Sequence, residues 1–361
     1  MKFLRLAFYV LIAQLVLSGC AGEGVEETSS SSSSEINFDA YVGRNASTRS
    51  SVTNITSLKG TDLNSGFGVF ARYNHTNGAT SPLMDNEHVT WKEKENCWGY
   101  TNTRYWPNEG TVDFYAFAPH SGIVKLENKP GSNEANPTCI YFPSNMSPVD
   151  LVWANAKGRT KINEPVEFTL NHALARLGFD ITANQDLEEN GAVIKVKEVR
   201  LYGASETSGI FIMAGYLNLE NGDWTPKDNG TNWLYTWTPD GKEDDKNDGT
   251  VLKLSAPPRL DHTHKKITND DNSYIFIIPQ PKPENFNLKI TYTVEQGNFK
   301  EEDVTVTKNL LDILPPEDSN HPFFKGGKAY VFHLKLSLDP VNFSVQATVG
   351  DWIEVEDEIT I

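Results

Sequence analysis

Glu35-Ile36-Asn37-Phe38-Asp39-Ala40-Tyr41-Val42-Gly43-Arg44 sets the reading of this chain, with Arg49 following five residues on. Ile36, Phe38, Ala40 and Val42 alternate with Asn37, Asp39 and Tyr41, which gives one apolar face and one mostly polar face. That period is the signature of a half-buried β-strand over 35–43. A serine run, Ser29 to Ser34, precedes it, and Gly-Arg-Asn-Ala-Ser-Thr-Arg-Ser-Ser follows it. Small, basic and loosely flanked segments are where proteases cut. The first strand of the fold therefore stands directly upstream of a stretch at which it can be severed.

The rest of the composition extends that reading. Of 361 residues, 26 are Gly and 19 are Pro, and they punctuate short apolar segments throughout. Aromatic residues make up 11%, with no sustained helical period, so the chain reads as all-β and long enough for two domains. The formal net charge of −16 lacks the basic surface that a nucleic-acid partner requires.

Residues 1–20 read as an export signal, with Lys2 and Arg5 ahead of the apolar run Leu4 to Leu17. That run is too short and wrongly flanked for a transmembrane helix. It ends in Leu17-Ser18-Gly19-Cys20, which resembles the bacterial lipobox, in which the signal is cleaved before Cys and the thiol takes a diacylglycerol. Cys20 is thus the candidate lipidation site, and several acyl chains would hold the mature N-terminus to the outer membrane. Residues 21–34 read as a Ser-rich tether.

From Gly66 onward strand signals are dense: Gly66 to Ala71, Val89-Thr90-Trp91, Trp98 to Trp106, Val112 to Pro119 and Asp150 to Ala154. With the first strand they form a domain over 35–165. Val166 to Ile181 reads as a bent strand, or a strand with a short helical turn, opening a second domain over 166–361. Lys195 to Tyr202, Tyr274 to Pro279, Leu288 to Val294 and Ala329 to Leu338 supply its further strands. The last stretch, 352–361, alternates once more, with Ile353, Val355, Ile359 and Ile361 on one face and Asp357 interrupting it. An unpaired apolar strand is an aggregation hazard, so this one either closes its own sheet or pairs with another subunit.

Together these pieces resemble the fimbrillin-like family, subunits of protease-assembled pili of Gram-negative anaerobes. The matching segments include Ile36-Asn37-Phe38, Thr48-Arg49-Ser50, Phe67 to Ala71, Tyr105-Trp106-Pro107, Val112 to Pro119, Asp150 to Ala154, His172 to Leu177 and Ile277 to Gln280. The resemblance implies two tandem transthyretin-like β-sandwich domains and export as a lipoprotein to the cell surface. It also implies removal of the first strand by an Arg-specific protease, after Arg49 with Arg44 as fallback. The opened groove would then take a donor strand from another pilus subunit, with 352–361 in the donor role. The alternative is a surface lipoprotein that binds a glycan or host protein without polymerising, with Trp91, Trp98, Trp106 and Trp153 as the candidate glycan face.

Other constellations carry less. Cys97 and Cys139, both in the first domain of an exported chain, are the candidate disulfide pair. His262-Thr263-His264 lacks a third ligand nearby, and Asp244 to Gly249 puts Lys246 at a calcium-ligand position, so neither reads as a metal site. No nucleophile elbow, HExxH, Walker or GxGxxG pattern occurs, and the chain reads as a non-enzyme without cofactor.

Overall fold

The computed structural model describes residues 35–42, 53–62, 65–142, 150–161, 164–183, 191–212, 214–227, 235–237, 265–266, 275–311, 313, 323–336 and 344–351. Nine strands come first: β1 (Phe38–Val42), β2 (Phe67–Asn74), β3 (Thr80–Lys92), β4 (Cys97–Gly99), β5 (Thr111–Ala118), β6 (Leu126–Glu127), β7 (Cys139–Phe142), β8 (Val152–Arg159) and β9 (Val166–His172). A one-turn helix, α1 (Ile55–Leu58), sits between β1 and β2, its first turn closed by a reciprocal bond between Asn54 and Ser57. Then follow β10 (Ala175–Ala183), β11 (Ala192–Tyr202), β12 (Gly215–Asn218), β13 (Trp224–Pro226), β14 (Tyr235–Trp237), β15 (Lys265–Lys266), β16 (Ile275–Ile277), β17 (Asn287–Gln296), β18 (Phe299–Asn309), β19 (Lys328–Leu336) and β20 (Ser344–Asp351). The chain is all-β, as its turn-rich composition indicated.

Seven strands make one sheet in the order β1-β9-β8-β5-β2-β3-β4. Its central strands are covered on both faces. Phe67, Val69 and Ala71 of β2 join one core, whereas Phe70 between them joins another. β5 divides in the same way, with Phe114 and Ala116 on one side and Tyr115 and Phe117 on the other. Two-sided burial is why these strands read as continuous apolar runs, while one-sided β1 and β9 alternate strictly.

The remaining strands build three smaller sheets. β11, β17, β18 and β14 form one, and β10, β19, β20, β15 and β16 form another. Ile194, Leu201, Leu288 and Ile290 of the former share a core with Leu177, Phe179, Phe332 and Leu334 of the latter, a β-sandwich. The third sheet, β13-β12-β7-β6, takes β6 and β7 from the first half of the chain and β12 and β13 from the second. Its Ile140, Phe142 and Leu217 pack with Phe70, Tyr115 and Phe117. At the β12–β13 turn, Gly222 has φ of +79°, and a Cβ there would stand 2.3 Å from the Trp153 ring. Glycine is required on both counts.

Two readings need correction here. The stretch from Val166 to Ile181 is two strands in different sheets, split at Ala173 and Leu174. β9 pairs with β8 and β1, so it completes the first sheet instead of opening a second domain at 166. The alternation Val166-Glu167-Phe168-Thr169-Leu170 fits either sheet, because period reports a buried face and not a partner. Second, Cys139 is a buried free thiol, so the Cys97–Cys139 bridge is not formed. Cys97 pairs through β4 with Lys92 in the seven-stranded sheet, while Cys139 pairs through β7 with Asn218 and Glu127 in the third sheet.

Candidate functional site

β1 lies at the end of the seven-stranded sheet and runs parallel to β9, with Phe38 opposite Val166 and Val42 opposite Leu170. The Val166 N–H donates to the Asn37 carbonyl at 2.7 Å. Backbone groups of a strand alternate in direction, so Ile36 and Ala40 present theirs to the opposite edge. There the Ile36 N–H donates to the Arg104 carbonyl at 2.8 Å, and the Tyr100 hydroxyl donates to the Ile36 carbonyl at 2.7 Å. Glu35 also bridges Tyr105. Farther along, the Ala40 N–H is taken by the side chain of neighbouring Asp39 at 2.8 Å, which covers an edge donor locally. Among the described residues the strand is therefore gripped by backbone partners on both edges at Ile36, and by β9 alone from Phe38 onward.

Its inward face fills a core. Ile36, Phe38, Ala40 and Val42 are all buried. Phe38 is the hub: it stacks on Phe168 at 5.7 Å, and meets Phe114 at 5.8 Å, Tyr100 at 5.6 Å and Phe67 at 6.4 Å. Rings at such separations add to the area they bury. On the other face Asp39 and Tyr41 are exposed.

Tyr100 links the strand to its neighbouring segment, since its oxygen also accepts from the Arg104 N–H at 3.1 Å. Burial is the main cause that lifts its phenol from the ordinary 10.0 to about 12, with the Arg104 hydrogen bond opposing and Glu87 and Glu35 assisting. An unfolded phenol ionises near pH 10, while the folded one keeps its proton to about pH 12. Stability from this group is thus complete below pH 10 and is lost as pH rises through that window. Denaturation series at pH 9 and pH 11.5 should show a smaller loss for Tyr100→Phe than for the unaltered chain. An equal loss in both would remove Tyr100 from the account.

Downstream of β1 the described chain resumes at Thr53, which is pinned. Its N–H donates to Asp150 Oδ2 at 2.8 Å, and its hydroxyl donates to the Asp150 carbonyl. Asp150 is fully buried, and His172 Nδ1 lies 3.0 and 2.9 Å from its two carboxylate oxygens. Thr53, Asp150 and the end of β9 are thereby one polar knot. Neither Thr53 nor Asp150 stood out in the sequence; the buried acid next to an apolar strand, Asp150-Leu151-Val152, was the available signal.

Cys20, Arg44, Arg49 and the donor residues Ile353, Val355, Ile359 and Ile361 lie outside the described residues, as do His262, His264 and Asp244 to Gly249. Of the four tryptophans read as a glycan face, Trp98 and Trp106 are core residues, 3% and 2% exposed, and Trp91 and Trp153 are half-buried. Among the described residues no group of three or more His, Cys, Asp or Glu could hold a metal ion. Among them, too, no helix is long and apolar enough to cross a membrane.

Residues 48–352 match a protein family described as fimbrillin-like. No curated protein matches the chain. Among solved structures, a fimbrial protein from Bacteroides vulgatus is 19% identical with a TM-score of 0.62, and the match covers 88% of this chain and 99% of that one. A candidate cell adhesion protein from Bacteroides ovatus is 15% identical with a TM-score of 0.51, covering 90% of this chain and 100% of that one. At such identities the likeness is one of fold.

Proposed function

The chain belongs to the fimbrillin-like family, and from that premise we propose that it is a structural subunit, stalk or tip, of a cell-surface fimbria. In this reading it is exported as a lipoprotein through Cys20, cut after Arg49 by an Arg-specific protease, and joined to other subunits by strand exchange. The observation that carries the proposal is the setting of β1: an end strand with a fully apolar inward face, followed within a few residues by two arginines.

The energetics fit a switch of this kind. Burying Ile36, Phe38 and Val42 contributes roughly 1.5–3 kcal/mol each, against a total domain stability of about 5–15 kcal/mol. A seat emptied of β1 exposes Phe67, Phe114 and Phe168, which the domain can hardly leave uncovered. Another subunit's strand restores both the apolar face and the backbone pairing along β9. Because one strand replaces a similar one, the exchange is near balance, and irreversible proteolysis gives it direction. The single-edged grip beyond Phe38 lets β1 peel from the end nearest the cut.

Limited trypsinolysis of the exported precursor tests this. Cleavage after Arg49 should come first and leave the sheets intact, and the cut chain should then form ladders that survive mild detergent. Arg49→Ala combined with Arg44→Ala should abolish both cut and ladder. Deleting 353–361 should abolish the ladder and spare the cut. A cut chain that stays monomeric under all conditions would overturn polymerisation and leave a surface binding lipoprotein.

A further inference from the structure

Away from β1, two half-buried imidazoles lie face to face. His88 of β3 and His120, two residues past the end of β5, stack with ring centroids 3.7 Å apart and planes 9° from parallel. Phe117 of β5 stacks with His120 in turn, at 6.4 Å. His88 is fixed from its other side, with Nε2 2.8 Å from the Ser65 carbonyl. His120 Nε2 is sealed from solvent and has no hydrogen-bond partner among the described residues.

The stack fastens a connector. Residues 119–125 lead from β5 in the seven-stranded sheet to β6 at the end of the third sheet. Asn86 of β3 holds the same segment, its Nδ2 donating to the Ser121 and Val124 carbonyls, each at 2.9 Å. Asn86 has φ of +50° and stands where the register of β2 on β3 shifts; a bulge of this kind aims a side chain out of the ladder. Val124 packs on the core beneath, while Ile123 beside it is 82% exposed.

We propose that the His88–His120 stack is an acid-released catch: a proton on His120 breaks the stack and frees the connector, and β6 with it. A proton on Nε2 adds a charge and a donor at a point that offers neither water nor an acceptor. The ring must therefore turn outward to be solvated. Phe117 and Asn86 carry no charge, so His88 is the titratable neighbour that faces it, and no carboxylate among the described residues stabilises the imidazolium. Burial first and His88 second push His120 down from the ordinary 6.5 to about 4, against an opposing bond to the Asn86 backbone. A released His120 takes its proton near pH 6.5, whereas the stacked one resists to about pH 4. The catch is thus complete above pH 6.5 and weakens as pH falls through that window.

What opens is set by the topology. β6 pairs with β7 through Leu126–Ile140 and Glu127–Cys139 alone, too few pairs to hold a sheet edge once the connector is slack. Acid would therefore soften the end of the sheet that joins the two halves of the chain. The catch is independent of strand exchange, since no residue of β1 takes part.

Hydrogen exchange of the full chain at pH 7.5 and pH 4.5, corrected for the intrinsic effect of pH, tests this. Protection over 119–127 should fall by roughly 10–100-fold at the lower pH, while amides of the β2–β5 ladder hold. His120→Phe keeps a ring in the stack but takes no proton, and should remove the pH dependence. His88→Phe should keep most of it, because burial is the larger cause. An equal loss in His120→Phe and the unaltered chain would overturn the proposal, as would equal loosening of the β2–β5 ladder. Should His120→Phe fail to fold, the imidazole resonances of the unaltered chain decide. Titration of His120 near pH 4, in step with connector opening, supports the catch; titration near pH 6.5 with the connector still protected would overturn it.

Discussion

Phe38→Ala is expected to lower the stability of the uncut precursor by about 3–5 kcal/mol, the range for emptying a large aromatic site in a packed core. Phe38 touches Phe67, Tyr100, Phe114 and Phe168, so its removal takes a contact from four rings at once. Against a domain total of about 5–15 kcal/mol, that loss brings the precursor close to unfolding at growth temperature. Urea denaturation of the precursor measures it. The same substitution should have no effect on the assembled product, because in the proposed function Phe38 leaves with the excised strand. A variant that weakens precursor and product alike would show that β1 stays in place.

Asp150→Ala should behave in the opposite way. It removes the acceptor of the Thr53 N–H and the partner of His172 inside a fully buried knot, so about 2–3 kcal/mol is expected for lost charge-assisted bonds and the donors left behind. Thr53 and Asp150 both follow Arg49 in the chain, and so stay with the retained part in the proposed function. The loss should therefore appear in the precursor and in the cut chain equally. Hydrogen exchange at Thr53 should rise in both forms, while Asp150→Asn, which keeps an acceptor, should recover most of the protection. An unchanged Thr53 amide would remove the knot as an anchor for the chain ahead of β2.

How far the sequence carried this argument depends on the kind of signal. Alternation in Ile36 to Val42 identified the face that is buried, and unbroken runs such as Phe114 to Ala118 marked strands covered on both sides. Partners were less legible. Nothing in Val166 to Leu170 distinguishes a strand beside β8 and β1 from one beside β10, since the buried face reads alike. The third sheet, joining Cys139–Phe142 to Gly215–Asn218, was invisible because short strands far apart in the chain carry no mutual mark. It is also why Cys139 was wrongly paired: two cysteines in one sequence segment ended in separate sheets. The buried face at Phe38 is legible in the alternation, whereas Tyr100 and the Thr53–Asp150–His172 knot depend on contacts between residues remote in sequence.

The parallel pairing of β1 with β9 also sets a timetable. Phe38 to Val42 are synthesised early, yet their partners, Val166 to Leu170, follow only after the intervening strands. A contact of such long sequence separation forms late, after the local hairpins β2–β3 and β3–β4 have closed. For that interval Ile36 and Phe38 are uncovered, since the strand they pack beside is not yet made. The strand that the proposed function would surrender is thus the first to arrive and the last to be seated, and keeping unfinished chains apart becomes a condition of folding as well as of assembly.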